Sequence, residues 1–312
     1  MANRVVTRTY TASIRNQQRV SDDLDSLGFA ASKLWNVGRW VCDRVWSEIG
    51  HIPGHNELTT YLKSHERYDD LFVCKVEIEV SEAPGEKTVG VDLGINNFAA
   101  LAYEDGHSEL YPLNCLKQDD YYFSKRLAQC DDSDPEQPTR LNQKNSARRT
   151  HYFHTLSKHI VQRCVDEDVG TIVVGDLSGI REDEKTDESK NWGKHGNLDL
   201  HSWAFDRFTS MLAYKAEIDG ITVKQVSERD TSKSCSCCGR KRKANRVERG
   251  LYVCDECETV ANADVNGAEN IRQKVSPNPH GEDRSNGWLA QPSTFLFDKE
   301  TGVFAPQEHV TS

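Results

Sequence analysis

The spacing of apolar positions changes several times along the chain, and each change predicts an element. Residues 4–12 read as a short strand. From Val20 to Leu62, apolar residues such as Leu34, Val37, Val41 and Val45 recur at spacings of three and four, the period of a helix with one buried face. Trp35, Trp40 and Trp46 lie on this stretch and are expected to pack in a core, as large aromatics usually do. Residues 72–80 alternate apolar and polar as an antiparallel strand does, and the run Ala83-Pro84-Gly85-Glu86 then breaks the chain. Strands are predicted at 88–93, 97–103 and 108–111, with Glu104-Asp105-Gly106 turning between the last two. A long helix follows over 139–168. Next come a fully apolar strand at 171–175, a polar loop at 181–196, a helix at 198–218 and a strand at 221–226. Beyond Lys274 the periodicity fades among Pro, Asn, Gly and Asp, and an irregular tail is expected.

Three strands, helix, strand, helix, strand is a mixed α/β order: the opening strands are antiparallel and the later ones are joined by helical crossovers. No apolar run approaches the ~18–20 residues needed to cross a bilayer, and no apolar leader follows Met1, so a cytoplasmic protein without a membrane partner is expected. With 39 basic and 49 acidic residues the net charge is −10, which argues against nucleic acid only if charge is spread evenly. It is not. Arg140, Lys144, Arg148 and Arg149 crowd the first half of the long helix, and Lys233, Arg240, Lys241, Arg242, Lys243 and Arg246 crowd a second segment. The second cluster suits phosphate contact.

The second cluster sits among cysteines. Cys235 and Cys238 are separated by two residues, as are Cys254 and Cys257, with fifteen residues between the pairs. Two such pairs let four thiolates converge on Zn²⁺ from two tight turns, and Gly239 suits the first turn. Cys237 is left outside by the spacing. Four thiolates leave no open position for a substrate, so the zinc is structural.

Two carboxylates stand where burial makes them expensive. Asp92 ends an apolar strand before Gly94. Asp264 opens a stretch of small residues, 261–271, that could pack closely on a sheet. Each alone could be a local cap. Together they suggest carboxylates holding two Mg²⁺ ions, which activate water on one side of a phosphodiester and stabilise the leaving oxygen on the other.

The ordered motifs VGVDLGINNFAAL (89–101), TIVVGDLSGIRED (171–183), TSKSCSCCG (231–239), YVCDEC (252–257) and ANADVNGAENI (261–271) resemble the TnpB/OrfB family, relatives of type V CRISPR effectors. The likeness is haloarchaeal in flavour, in keeping with the acidity. It implies an RNase H-like (RuvC) mixed sheet with an inserted four-cysteine zinc ribbon, preceded by a small helical segment. The implied division is an N-terminal strand and helical segment at 1–71, a barrel-strand remnant and linker at 72–87 and the nuclease core at 88–231. The zinc ribbon (232–260), the last helix (261–274) and an irregular acidic tail (275–312) follow. The implied activity is Mg²⁺-dependent, RNA-guided DNA cleavage that maintains a transposable element, with DNA and a transposon-derived guide RNA as partners. Asp92 matches the first family carboxylate and Asp264 the last, and the basic half of helix 139–168, with Arg148 and Arg149, would face nucleic acid. In the family the middle strand ends Glu-Asp-Leu, and that Glu is the second metal ligand; here Gly175 holds its place. Asp176, one residue along, points to the opposite face of a regular strand. Glu182 or Asp183 on the following loop is the alternative, and the third ligand stays open. The chain also reads as internally shortened before the core. Gly175 therefore keeps a second reading in view: a nucleic-acid binder without cleavage, repressor-like, or a decayed copy.

Overall fold

The computed structural model describes residues 5–8, 21–69, 76–131, 133–176, 202–248, 250–277 and 287–307. They fall into two compact units, Met1–Glu79 and Val80–Ser312. Among the described residues no helix is long and apolar enough to cross a membrane.

In the first unit, β1 (Val5–Arg8) pairs antiparallel with β2 (Val76–Glu79). The apolar periodicity yields α1 (Ser21–Ile49) and α2 (His55–Lys63), followed by the single turn α3 (Glu66–Asp69). The break between α1 and α2 falls where Gly50 adopts φ +66° and Pro53 follows, neither compatible with a continuing helix. The expected packing of the tryptophans is corrected here: Trp35, Trp40 and Trp46 are 70%, 54% and 58% exposed, while Ala30 and Leu34 are buried. The short α2 and α3 are the helices that pack on α1, and together they cover only one stripe of it.

The second unit is built on a seven-stranded sheet. Its first strands are β3 (Lys87–Leu93), β4 (Asn97–Tyr103) and β5 (Ser108–Pro112), an antiparallel meander. A helix that periodicity did not reveal, α4 (Asn114–Leu127), leads into α5 (Gln137–Asp166), and α5 crosses to β6 (Val169–Asp176), parallel to β3. The second crossover, α6 (Ser202–Ile218), delivers β7 (Thr222–Ser227) parallel to β6. Across the sheet these strands lie in the order β5-β4-β3-β6-β7, with the antiparallel opening and helical crossovers expected from the sequence.

The tail is where expectation and structure part. Residues 293–298 form β11, which pairs parallel with β5 and turns back into β12 (Val303–Pro306), so the sheet gains two strands. The alternation Phe295, Leu296, Phe297 was the available signal. Phe295 stacks on Tyr111 with ring centroids 5.5 Å apart, and Phe304 is buried against the same ring.

The two sheet faces carry different covers. Val89, Val91, Leu101, Ile172 and Val174 face a large core with α5 and α6, in which Phe98 meets Phe153, Phe205 and Phe208. The opposite face receives α7 (Ala263–Gln273) and the zinc-ribbon strands β8 (Arg246–Glu248), β9 (Leu251–Val253) and β10 (Val260–Asn262). Small residues set this approach. A Cβ built on Gly90 would lie 2.0 Å from the Ala268 carbonyl oxygen and 2.8 Å from Arg272 Cβ, so glycine is what lets α7 rest on the sheet. Arg272 and Glu269, both wholly buried, then pair through two 2.8 Å bonds, and Arg272 also donates to Thr88 Oγ1. Gly90→Ala is expected to lose at least about 3 kcal/mol, since the clash is with backbone rather than a yielding side chain. Urea unfolding reads this directly, and an unchanged midpoint would refute the close approach.

Candidate active site

Alternation along β3 sends Val89, Val91 and Leu93 into the core and leaves Thr88, Gly90 and Asp92 facing α7. Asp92 therefore lies under that helix. Gly267 is the helical residue above it: a Cβ there would come within 2.4 Å of Asp92 Oδ2. A mid-helix glycine costs about 1 kcal/mol relative to alanine, and here the carboxylate occupies the space a methyl would need.

Asp264 stands in the first turn of α7. The cap is its neighbour Asn262, whose side-chain oxygen accepts from the Asp264 and Val265 amides at 3.0 and 3.3 Å. Asp264 is thus free of capping duty, and the helix N-terminus favours its charge. Asn97, at the start of β4, donates to Asp264 Oδ2 at 2.8 Å, and Arg246 pairs with Oδ1 at 3.2 Å. The structure brings Asp92 and Asp264 together, with Asn97 and Arg246 as orienting and neutralising partners.

A third carboxylate joins them that sequence reasoning missed. Glu228 follows β7, and its Oε1 is buried with no hydrogen-bond partner. Burial raises the Asp92 carboxyl well above the usual range; the charges of Glu228 and then Asp264 push the same way, and Arg246 opposes them. Burial, then the charge of Asp176, pushes Glu228 up to about 7, with Lys274 opposing. Both raised groups favour the protonated folded form. Their contribution to stability is complete below the unfolded-chain values and is lost as pH rises through the raised folded values, about 7 for Glu228. Zinc-loaded, magnesium-free protein is therefore expected to lose more stability between about pH 5 and pH 8 than its Glu228→Gln variant. Paired urea midpoints measure the difference, and parallel pH profiles would refute it.

Asp176 ends β6 opposite Ser227 and lies beside Glu228. Glu182 and Asp183 lie outside the described residues. The oxygens of Asp92, Asp264 and Glu228, partly buried and only partly neutralised, are donors of the kind a hard divalent cation such as Mg²⁺ takes.

The four cysteines also converge. The sulfurs of Cys235, Cys238, Cys254 and Cys257 lie within 4.8 Å of one another, with Cys235–Cys257 at 3.6 Å and Cys238–Cys254 at 3.5 Å. A tetrahedral Zn²⁺ with Zn–S bonds of ~2.3 Å places its sulfurs ~3.8 Å apart, so the cluster is consistent with a zinc ribbon. Cys237 stands outside the four. Both turns share one backbone pattern: the Cys235 amide bonds the Arg240 carbonyl and the Cys254 amide that of Thr259, each at 2.9 Å. The residue after the second cysteine is left-handed in each, Gly239 at φ +74° as expected, and Glu258 at φ +58°.

Helix α7 ties this ribbon to the carboxylates. Asn266 accepts from the Ser236 amide and donates to the Ser234 carbonyl; Asn270 also donates to Ser234, and Gln273 donates to Ser236. The same helix thus carries Asp264 and grips the first cysteine turn.

The basic clusters find acidic partners. Arg240 and Arg242 pair with Asp255, Lys241 and Lys233 with Asp230, and Arg246 with Asp264; Lys243 is exposed. Exposed pairs of this kind are worth only ~0–1 kcal/mol and exchange readily for phosphate. On α5, Arg148 and Arg149 meet Asp119 and Asp120 of α4 at 3.0 and 2.7 Å. Arg149 is only 16% exposed there, a placement that follows from a helix periodicity did not show.

Residues 71–181 match the OrfB_IS605 family, described as a probable transposase, and residues 205–271 match the Cas12f1-like TNB domain. Over these residues the chain is similar to the TnpB/OrfB family. A TnpB-like protein, ORF457 of Acidianus two-tailed virus, is 27% identical over 213 residues, covering 64% of this chain and 44% of that relative. The CRISPR-associated endodeoxyribonuclease Cas12f1 of Sulfoacidibacillus thermotolerans is 28% identical over 201 residues, 59% of this chain and 45% of its own length. InsQ of Escherichia coli, a putative RNA-guided DNA endonuclease, is 25% identical over 206 residues, 62% of this chain and 50% of its own. The chain spans about half the length of these relatives, and they lend no support to a haloarchaeal origin.

Proposed function

We propose that this TnpB-type chain acts in the cytoplasm as an RNA-guided DNA endonuclease that helps a transposable element persist, hydrolysing phosphodiesters at Asp92 and Asp264. The observation that carries the reading is the approach of two carboxylates from distant segments: Asp92, under a helix whose glycine makes room for it, and Asp264, in the first turn of that helix. Burying like charges side by side is costly unless a cation belongs between them. Mg²⁺ bound there would polarise the scissile phosphate and lower the pKa of the attacking water. The chain's own part is to hold the ions: Asn97 fixes the Asp264 carboxylate, and Arg246 limits the repulsion when the site is empty of metal. Structural zinc in the four cysteines fixes the ribbon, whose basic loop meets the phosphates of DNA or guide RNA.

The test begins with protein purified from its native or a high-salt host, with sequencing of any co-purified RNA. A discrete RNA mapping to a transposon end, followed by Mg²⁺-dependent cutting of matching DNA, is the expected result. Folded, zinc-loaded protein that carries no RNA would overturn guided action. Gly175 favours a second reading, binding without cleavage: a bound guide and bound target with no cutting in Mg²⁺ would establish it.

A further inference from the structure

A strand alternates its side chains, so the face on which each carboxylate stands follows from register. Parallel pairing sets Gly90 beside Val173 and Val91 beside Val174, which carries Asp92 to the level of Gly175. On the other side of β6, Gly175 pairs with Val226 and Asp176 with Ser227. Ile172 and Val174 belong to the core under α5 and α6, so Val173 and Gly175 face α7 with Asp92. Val223 packs on that same core, so Val226 and the residue two further on, Glu228, share the face of Gly175. Asp176 falls on the opposite face by the same count.

The space beside Gly175 is filled. A Cβ built on Gly175 would lie 2.1 Å from Glu228 Oε1, 2.6 Å from its Cγ and 2.8 Å from its Cδ. A side chain at 175 and Glu228 in this position exclude one another. The volume a glutamate at 175 would enter therefore already holds a glutamate carboxylate from the next strand, and its Oε1 is buried without a donor. A carboxylate oxygen left so is expensive unless a ligand satisfies it.

We propose that Glu228 is the third metal-binding carboxylate of this chain, reaching across from β7 to replace the one that Gly175 lacks. Gly175 is then half of an exchange between neighbouring strands, and glycine there is what makes room for the incoming side chain. The inference rests on the nuclease reading above and sharpens it: the site keeps three carboxylates, so Gly175 by itself does not disable cleavage.

Calorimetric titration of full-length, zinc-loaded protein with Mn²⁺ tests this without reference to cutting. Glu228→Gln is expected to weaken Mn²⁺ binding about 10-fold or more, while Asp176→Asn stays within about twofold. The decisive variant returns the carboxylate to the middle strand: Gly175→Glu combined with Glu228→Gly should recover most of the affinity lost in Glu228→Gln. Gly175→Glu alone should lower the melting temperature, because the two side chains then compete for one space. Unchanged affinity in Glu228→Gln, or a loss confined to Asp176→Asn, would overturn the assignment while Asp92→Asn still weakens binding. Should Asp92→Asn also leave Mn²⁺ affinity unchanged, the metal-site reading itself falls, which separates the two failures.

Discussion

Asp92→Asn is expected to abolish DNA cutting and at the same time to make the metal-free protein more stable. On the proposed reading, the first effect follows from the charge that would hold the ions. Metal catalysis of phosphodiester hydrolysis supplies several kcal/mol of transition-state stabilisation, so losing the central ligand should slow cutting about a thousandfold or more. The second follows from the cost the site carries without metal. Asp92 is pushed toward its protonated form by burial and by the charges of Glu228 and Asp264, and asparagine keeps the shape while removing the repulsion. A gain of about 0.5–2 kcal/mol in urea unfolding is expected, the usual scale for relieving a strained functional site. Mn²⁺ should then stabilise the wild type strongly and the variant little. A variant that loses activity because it is destabilised would show instead that Asp92 serves the fold.

Removing zinc is expected to damage a site that no cysteine touches. Cys235 and Cys254 lie in a core with Tyr252, Ala263, Val265 and Ala268, so the ribbon and α7 share apolar packing. Asn266, Asn270 and Gln273 hold the backbone of the first cysteine turn from the same helix. Without zinc the turns lose what gathers them, and those three side chains are left with unfixed partners. Because Asp264 opens α7, its position against Asp92 loosens as well. Cys254→Ser should lower the melting temperature by about 10 °C or more, given that each kcal/mol shifts a domain of this size by roughly 2–4 °C. Mn²⁺ affinity at the carboxylates should fall in the same variant. An unchanged Mn²⁺ affinity in zinc-stripped protein would show that ribbon and carboxylate site are independent.

Much of this was legible in local pattern. Strand alternation and helical periodicity located β3 to β7, α5 and α6 within a few residues, because each element's apolar face recurs within a short window of chain. The ligand set of the ribbon was legible because two short-range pairs leave few ways to gather four sulfurs. Asp92 and Asp264 could be singled out because one closes an apolar strand and the other opens a run of small residues.

What only the tertiary structure decided depends on which segments lie side by side. The charge partners of Arg148 and Arg149 come from α4, a helix whose mostly polar sequence shows little periodicity. The last two strands lie in a stretch interrupted by Pro, Asn, Gly and Asp, and their aromatic residues gain a reason only against Tyr111 and Tyr152. Glu228 is the clearest case. Its sequence neighbours, Ser227 and Arg229, mark it as an ordinary surface glutamate. Parallel pairing of β6 with β7, made through a helical crossover, is what sets it over Gly175. The sequence by itself determined β3 to β7, α5, α6 and the four-cysteine set, and singled out two of the proposed carboxylates, since those follow from patterns near in the chain. The place of Glu228 beside Gly175 was decided by packing between strands far apart in sequence, where no local spacing records which side chain fills a neighbour's empty place.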